Sequence, residues 1–141
     1  MKKHKKTIIV VSIFLIVALI VFIVITYIYS SREKDFKATI RQAEEVRIMS
    51  GNTGESVLIA KEDIEKLADK IDEIDFKPVL FPEQRTGCSY KISYKISDND
   101  WSMWFCGGYT QIVHNSDWKY YQDNRDLVEY VATMYKELGG K

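Results

Sequence analysis

The order of apolar and polar positions begins with one long apolar stretch near the N-terminus. Residues 7–29 run from Thr7 to Tyr29 without a charged side chain. These 23 residues would form a helix roughly 35 Å long, at about 1.5 Å per residue, and a bilayer core is about 30 Å thick. Because a backbone in lipid must satisfy its own hydrogen bonds, the stretch predicts a transmembrane helix.

The flanks of this stretch favour an uncleaved anchor over a removed signal peptide. The apolar core of a signal peptide is about 7–15 residues long and ends in small residues, where this chain has Tyr29. A basic tail, residues 1–6, precedes the stretch with four lysines, and three basic residues follow it: Arg32, Lys34 and Lys37. This bias favours a single-pass protein with its N-terminus in the cytoplasm and its C-terminal domain outside. A cytoplasmic domain tethered by the same helix is the alternative.

Two shorter segments follow the anchor. Residues 30–43 combine six charged side chains with Phe36, Ile40 and Ala43 at helical spacing, and we expect a helical juxtamembrane spacer that lies outside any core. Residues 46–59 alternate around the turn sequence Gly51–Gly54, which predicts a hairpin that pairs Ile48 with Val57 and Val46 with Ile59. The domain is therefore expected to span residues 44–141.

Helical and alternating patterns fill the rest of this domain. One helical stripe consists of Ile64, Leu67, Ala68 and Ile71, and a second of Leu127, Tyr130, Val131, Met134 and Leu138. Asn124 or Asp123 can cap the second helix, and Gly139 can end it. Between the helices, Pro78 and Pro82 allow only a short edge strand, and four strands of an antiparallel meander follow. The pattern predicts an α+β fold in which two amphipathic helices pack on one side of an antiparallel sheet.

The two cysteines, Cys88 and Cys106, stand at the outer ends of the first meander hairpin. If its apolar residues share one face, with Ile96 opposite Trp101, then Cys106 lies opposite Lys91. That position is three residues, or about 10 Å, from Cys88, beyond the reach of a disulfide. The predicted register therefore disfavours a Cys88–Cys106 bridge. It would require Cys88 to leave the strand, which Gly87 allows, or a bulge near Gly107.

The same register places Trp104 on the polar face of the hairpin, beside Lys91 and Lys95. An exposed tryptophan can anchor a partner. It can also simply pack on lysine side chains, and single exposed apolar residues are common. We treat Trp104, Lys91 and Lys95 as candidate contacts for a partner and leave both interpretations open.

Charge and motifs exclude several other functions. Residues 32–141 carry 16 basic and 20 acidic residues, a net charge of −4, without the basic stripe that nucleic-acid binding requires. His114 and Asp117 lack a nucleophile motif, and Asp98–Asp100 lacks the glycine and glutamate of a calcium loop. We therefore expect no catalytic residues, no metal site and no cofactor.

Four elements carry a resemblance: the hairpin VRIMSGNTGESVLI, the helix EDIEKLADKI, the strand SYKISY and the late WKYY. Together, residues 44–138 resemble small uncharacterised α+β domains that Gram-positive-type bacteria carry behind membrane anchors or lipoprotein signals. The resemblance implies an envelope location and transfers no catalytic residue. We expect a module that binds a protein or a cell-surface partner. One version of this hypothesis is an immunity-like or inhibitory module that neutralises a protein at the membrane. An envelope hydrolase with an unrecognised site, or a cytoplasm-facing accessory protein, is the alternative.

Overall fold

The computed structural model describes residues 2–83 and 87–141, with side chains from residue 4 onward. The chain divides into two compact units, the second of which spans Arg32–Lys141. Helix α1 (Lys2–Ile40) begins in the first unit and ends in the second. In the first unit its apolar side chains are exposed, and the helix is long and apolar enough to cross a membrane by length and composition.

The second unit is an α+β domain, which confirms the predicted fold class. Its strands are β1 (Val46–Ser50), β2 (Ser56–Ile59), β3 (Cys88–Ile96), β4 (Asn99–Cys106), β5 (Tyr109–His114) and β6 (Asp117–Gln122). Helix α2 (Lys61–Asp72) follows β2, and helix α3 (Arg125–Glu137) follows β6. The strands form one sheet in the order β2-β1-β3-β4-β5-β6, and every neighbouring pair is antiparallel.

The first hairpin has the predicted register. Val46 pairs with Ile59 and Ile48 pairs with Val57, so four β-branched side chains share one face. In the turn, Gly51 donates its N–H to the carbonyl of Ser89 at 2.8 Å. A side chain at Gly51 would collide with the backbone of Cys88, which explains the glycine there.

All three helical segments of this unit pack on one face of the sheet, which we call the helical face. Its strand positions are buried, among them Val46, Ile48, Ile92, Tyr94, Trp101, Met103, Phe105, Ile112 and Tyr121. Helix α2 buries the predicted stripe of Ile64, Leu67, Ala68 and Ile71. Helix α3 buries Leu127, Val131, Met134 and Tyr135, and Asn124 caps it by accepting the N–H of Leu127.

The C-terminal end of α1 is part of this core, so the prediction of a spacer over residues 30–43 was wrong. Phe36 and Ile40 are fully buried, and Ala43 is 1% exposed. The hydroxyl of Tyr94 donates to the carbonyl of Phe36 at 3.1 Å, and the two rings are 5.3 Å apart. Phe36 and Ile40 lie one turn apart on the same side of α1 and Ala43 follows the helix, and their burial outweighs the charged residues between them.

Ion pairs hold the same helical end in place. Arg41 donates to the carboxylates of Glu65, Asp69 and Asp72 on α2, and these hydrogen bonds raise its pKa above the ordinary value. Arg32 donates to the carboxylate of Asp117 at the start of β6. The N-terminal helix thus reaches both the neighbouring helix and the far strand of the sheet.

Candidate functional site

The second face of the sheet, which we call the open face, carries none of the three helical segments of this unit. Alternation along the strands places on it the side chains that point away from the buried ones. They include Arg47, Met49, Leu58, Lys91, Ser93, Lys95, Ser102, Trp104, Gln111, Val113, Trp118 and Tyr120. The face is therefore basic and polar on β1 and β3, and aromatic on β4 and β6.

Trp104 lies at the centre of the open face. Its side chain is half-buried, because neighbouring side chains pack on it. Lys91 is directly opposite, with its ammonium 4.4 Å from the centre of the indole ring. The indole N–H donates to Ser102 at 2.9 Å, and the ring centre of Trp118 is 5.8 Å away. Trp104 thus packs on a lysine, as one of the two interpretations expected, and also forms half of an aromatic pair.

Trp118 is the residue of this site that sequence reasoning missed. It is 42% exposed and lies opposite Val113, which is only 7% exposed. Trp118 and Tyr120 alternate with Lys119 and buried Tyr121, which places both on the open face. The position of Trp118 beside Trp104 depends on the registers of β4 with β5 and of β5 with β6. The two tryptophans bring aromatic surface together from strands that are not neighbours.

Next to the tryptophan pair, the open face forms a shallow depression of about 730 Å³. Its lining includes the cations Arg47, Lys91 and Lys95, with Ser93 and Ser102 between them. Acidic groups also line it: Glu44, Glu45, which lies 3.7 Å from Arg47, and Asp100, which is opposite Lys95. A depression with charges of both signs and two hydroxyls suits a polar partner surface better than a buried apolar ligand.

The structure contains the Cys88–Cys106 disulfide, with the two Cα atoms 3.9 Å apart, so the prediction that disfavoured it was wrong. Two deviations from the predicted register bring the cysteines together. The hairpin turn holds only Ser97 and Asp98, so Ile96 lies opposite Asn99 rather than Trp101. This shift moves the pairing by two residues and keeps the apolar side chains on one face.

A β-bulge supplies the remaining residue of the shift. Tyr90 pairs with Phe105, whereas Cys88 pairs with Cys106, so Ser89 is the extra residue on β3. The Ser89 hydroxyl donates to the carbonyl of Phe105 at 3.2 Å, and Gly107 donates to Gly87 at 2.9 Å. Because directly opposed residues share a face of the sheet, the bulge also places Cys88 on the face of Cys106 rather than on that of Tyr90.

His114 is placed in a structural environment. Its ring stacks on that of Trp101 at 4.1 Å, and its Nε2 lies 3.0 Å from the side-chain oxygen of Asn99. These partners are an aromatic ring and amides, not the serine or carboxylate of a catalytic triad. Asn99 and Asp100 begin β4, and among the described residues no group of three or more metal-ligating side chains is positioned to hold a metal ion.

Comparison with known proteins shows the fold alone. No protein-family model and no curated protein matches the chain. A solved structure described as "Putative Lipoprotein from Clostridium perfringens" aligns with a TM-score of 0.54 and 12% sequence identity. The alignment covers 74% of this chain and 96% of that one. The chain therefore shares an α+β fold with a protein of that description from a Gram-positive bacterium.

Proposed function

We propose that this protein is a single-pass envelope protein whose domain lies outside the membrane and binds a protein or cell-surface partner through its open face. The observation that carries the proposal is the Trp104–Trp118 pair beside three cations on a sheet face that no helical segment of the same unit covers. Tryptophan and arginine are the residues that most often dominate binding energy at interfaces. An immunity-like or inhibitory module is one version of this proposal.

Binding is favoured over catalysis by the chemistry of the described surface. The depression on the open face combines fixed charges with hydroxyls, the tryptophan pair lies beside it, and His114 bonds to amides. General acid–base or nucleophilic catalysis needs a nucleophile beside an activating base. We therefore assign the open face a recognition role.

Two observations support an external location. The Cys88–Cys106 disulfide is of the kind that persists in oxidising compartments, and the lysines before the apolar helix favour a cytoplasmic N-terminus. The N-terminal helix of the first unit supplies a span of sufficient length and apolarity.

Affinity capture tests the binding role. The full-length chain carrying a C-terminal tag is recovered from solubilised membranes as wild type, Trp104→Ala, Trp118→Ala and Tyr130→Ala. Tyr130 is a half-exposed aromatic residue on α3, so it is the matched control away from the open face. We expect a specific partner with wild type and Tyr130→Ala, and at least about tenfold less of it with either tryptophan variant. Recovery that is equal in all four samples, or no partner in any, would contradict the proposal.

Thiol labelling of intact cells with an impermeant maleimide tests the location. We expect the wild type to react only after reduction, because its cysteines are bridged. Asn52→Cys, in the exposed turn between β1 and β2, should react without reduction, whereas Lys5→Cys in the basic tail should need lysis. The reverse result for Asn52→Cys and Lys5→Cys would show a cytoplasmic domain.

A further inference from the structure

The two edges of the six-stranded sheet differ in how their backbone groups are used. Along β6, residues 77–79 cap the edge: the N–H of Val79 donates to Tyr120 at 2.9 Å, and that of Gln122 donates to Lys77 at 2.8 Å. Pro78 lies between these bonds, opposite Tyr121, and blocks further pairing there. At the other edge, no segment of the described chain pairs with the outer side of β2.

The hydrogen bonds of the first hairpin show which groups of β2 face outward. Ser50 donates its N–H to the carbonyl of Glu55 at 2.9 Å. Because bonded and non-bonded pairs alternate along an antiparallel ladder, the backbone groups of Val57 and Ile59 point to β1. Those of Ser56 and Leu58 point away from the sheet. The outer side of β2 therefore presents the N–H and C=O of two residues to a further strand.

The side chains of β2 lack the devices that usually protect an edge. Sheet edges are commonly protected by lysine, proline, a bulge or a short strand; β2 is only four residues long, but its sequence Ser-Val-Leu-Ile contains no lysine or proline. Leu58 is 50% exposed on the open face. An exposed apolar side chain on an unpaired strand marks this edge as a surface for strand addition.

The pattern of β2 matches an antiparallel copy of itself. With Leu58 opposite Leu58 of a second copy, Val57 lies opposite Ile59, and each apolar residue keeps its face of the sheet. In this register Glu55 of one copy, just before β2, lies opposite Lys61 of the other copy, just after β2. The two-fold axis creates this pair twice. The Lys61 ammonium donates to the Arg41 carbonyl at 2.8 Å, which holds it beside the end of β2. The flanking charges are therefore complementary.

We propose that two copies of this chain pair through β2 and continue the sheet across a two-fold axis at Leu58. Each Leu58 then donates its N–H to the carbonyl of the other, which forms a reciprocal pair of hydrogen bonds. Four residues form a small contact, and confinement of both copies to one bilayer raises their effective concentration. This pairing uses an edge of the sheet and leaves the Trp104–Trp118 surface free.

Thiol cross-linking of the full-length chain in proteoliposomes tests the proposal. The native cysteines are bridged, so Leu58→Cys supplies the free thiol, and a short bifunctional methanethiosulfonate is the probe. In the proposed register the two residues at position 58 are about 5.5 Å apart between Cα atoms, whereas two residues at position 56 are separated by about 13 Å along the strand. Ser56→Cys is therefore the register control, and Gln122→Cys, exposed on the capped β6, is the edge control.

We expect Leu58→Cys to form covalent dimers at least about tenfold faster than either control, with native tryptophan fluorescence in all three variants. Equal rates at the three positions would overturn the proposal, as would faster coupling at Ser56→Cys. Coupling of Leu58→Cys in intact cells to a different protein, without dimers, would also overturn it. Because Trp104 is not involved, these results are independent of the test of the open face.

Discussion

The substitution Phe36→Ala distinguishes a core helix from a spacer. Phe36 is fully buried, its ring is 5.3 Å from Tyr94 and 6.2 Å from Trp101, and Tyr94 also bonds to its carbonyl. Truncation of a buried phenylalanine costs about 3–5 kcal/mol, because both burial and packing are lost. That cost is a large part of the roughly 5–15 kcal/mol by which a domain is stable.

Denaturant unfolding of the full-length chain in detergent measures this loss. All three tryptophans, Trp101, Trp104 and Trp118, belong to the domain, so their fluorescence reports its unfolding alone. Phe22→Ala is the matched control, since Phe22 lies on the same helix and is 61% exposed. We expect Phe36→Ala to lower the free energy of unfolding by about 3–5 kcal/mol and Phe22→Ala to leave it unchanged. A loss below about 1 kcal/mol for Phe36→Ala would refute its place in the core.

Three further predictions concern the stability of the domain. The disulfide closes a loop with a sequence separation of 18, so the double variant Cys88→Ser/Cys106→Ser should lose about 2–4 kcal/mol in the same unfolding assay, and an unchanged midpoint would contradict this. Asn124→Ala removes the cap of α3 and should cost about 1 kcal/mol, whereas Asn52→Ala in an exposed turn should cost little. Burial raises the pKa of Tyr94, against the opposing hydrogen bond from Thr39. Above pH 10 the unfolded chain therefore loses this proton while the folded chain keeps it, and stability falls by about 1.4 kcal/mol per pH unit. Tyr94→Phe should show a shallower alkaline slope than wild type, and identical slopes would contradict the assignment.

Local patterns were sufficient for most of the elements. The stripe of Ile64, Leu67 and Ile71 fixed the buried side of α2, because a helical period leaves one side apolar. The hairpin of β1 and β2 had its register fixed by β-branched pairs around a glycine turn. In both cases the information lies within a few residues of the element itself.

The disulfide could not be predicted in this way because it depends on two non-local details. A hairpin with Asp98, Asn99 and Asp100 in sequence suggests a longer turn than the two residues that form it, Ser97 and Asp98. The bulge at Ser89 is stabilised by Gly51 of another hairpin, which no local pattern reveals. Phe36 was missed for a related reason, since its burial depends on Tyr94 and Trp101 far along the chain.

The sequence was sufficient to predict one of the two tryptophans of the candidate site. Trp104 was singled out because strand alternation places it among Lys91 and Lys95. Trp118 was not, because its position beside Trp104 requires the register of two further strand pairs. The open face as a surface becomes evident only when all three helical segments are found on the opposite side of the sheet.

Photo-cross-linking in intact cells tests the central claim most directly. A photoreactive amino acid replaces Trp104 on the open face or, as control, exposed Glu129 on α3, and adducts are identified after irradiation. We predict one specific adduct from position 104, with an external protein or a cell-surface polymer, and none from position 129. No adduct at position 104, or the same adducts from both positions, would contradict the proposal that the open face binds a partner.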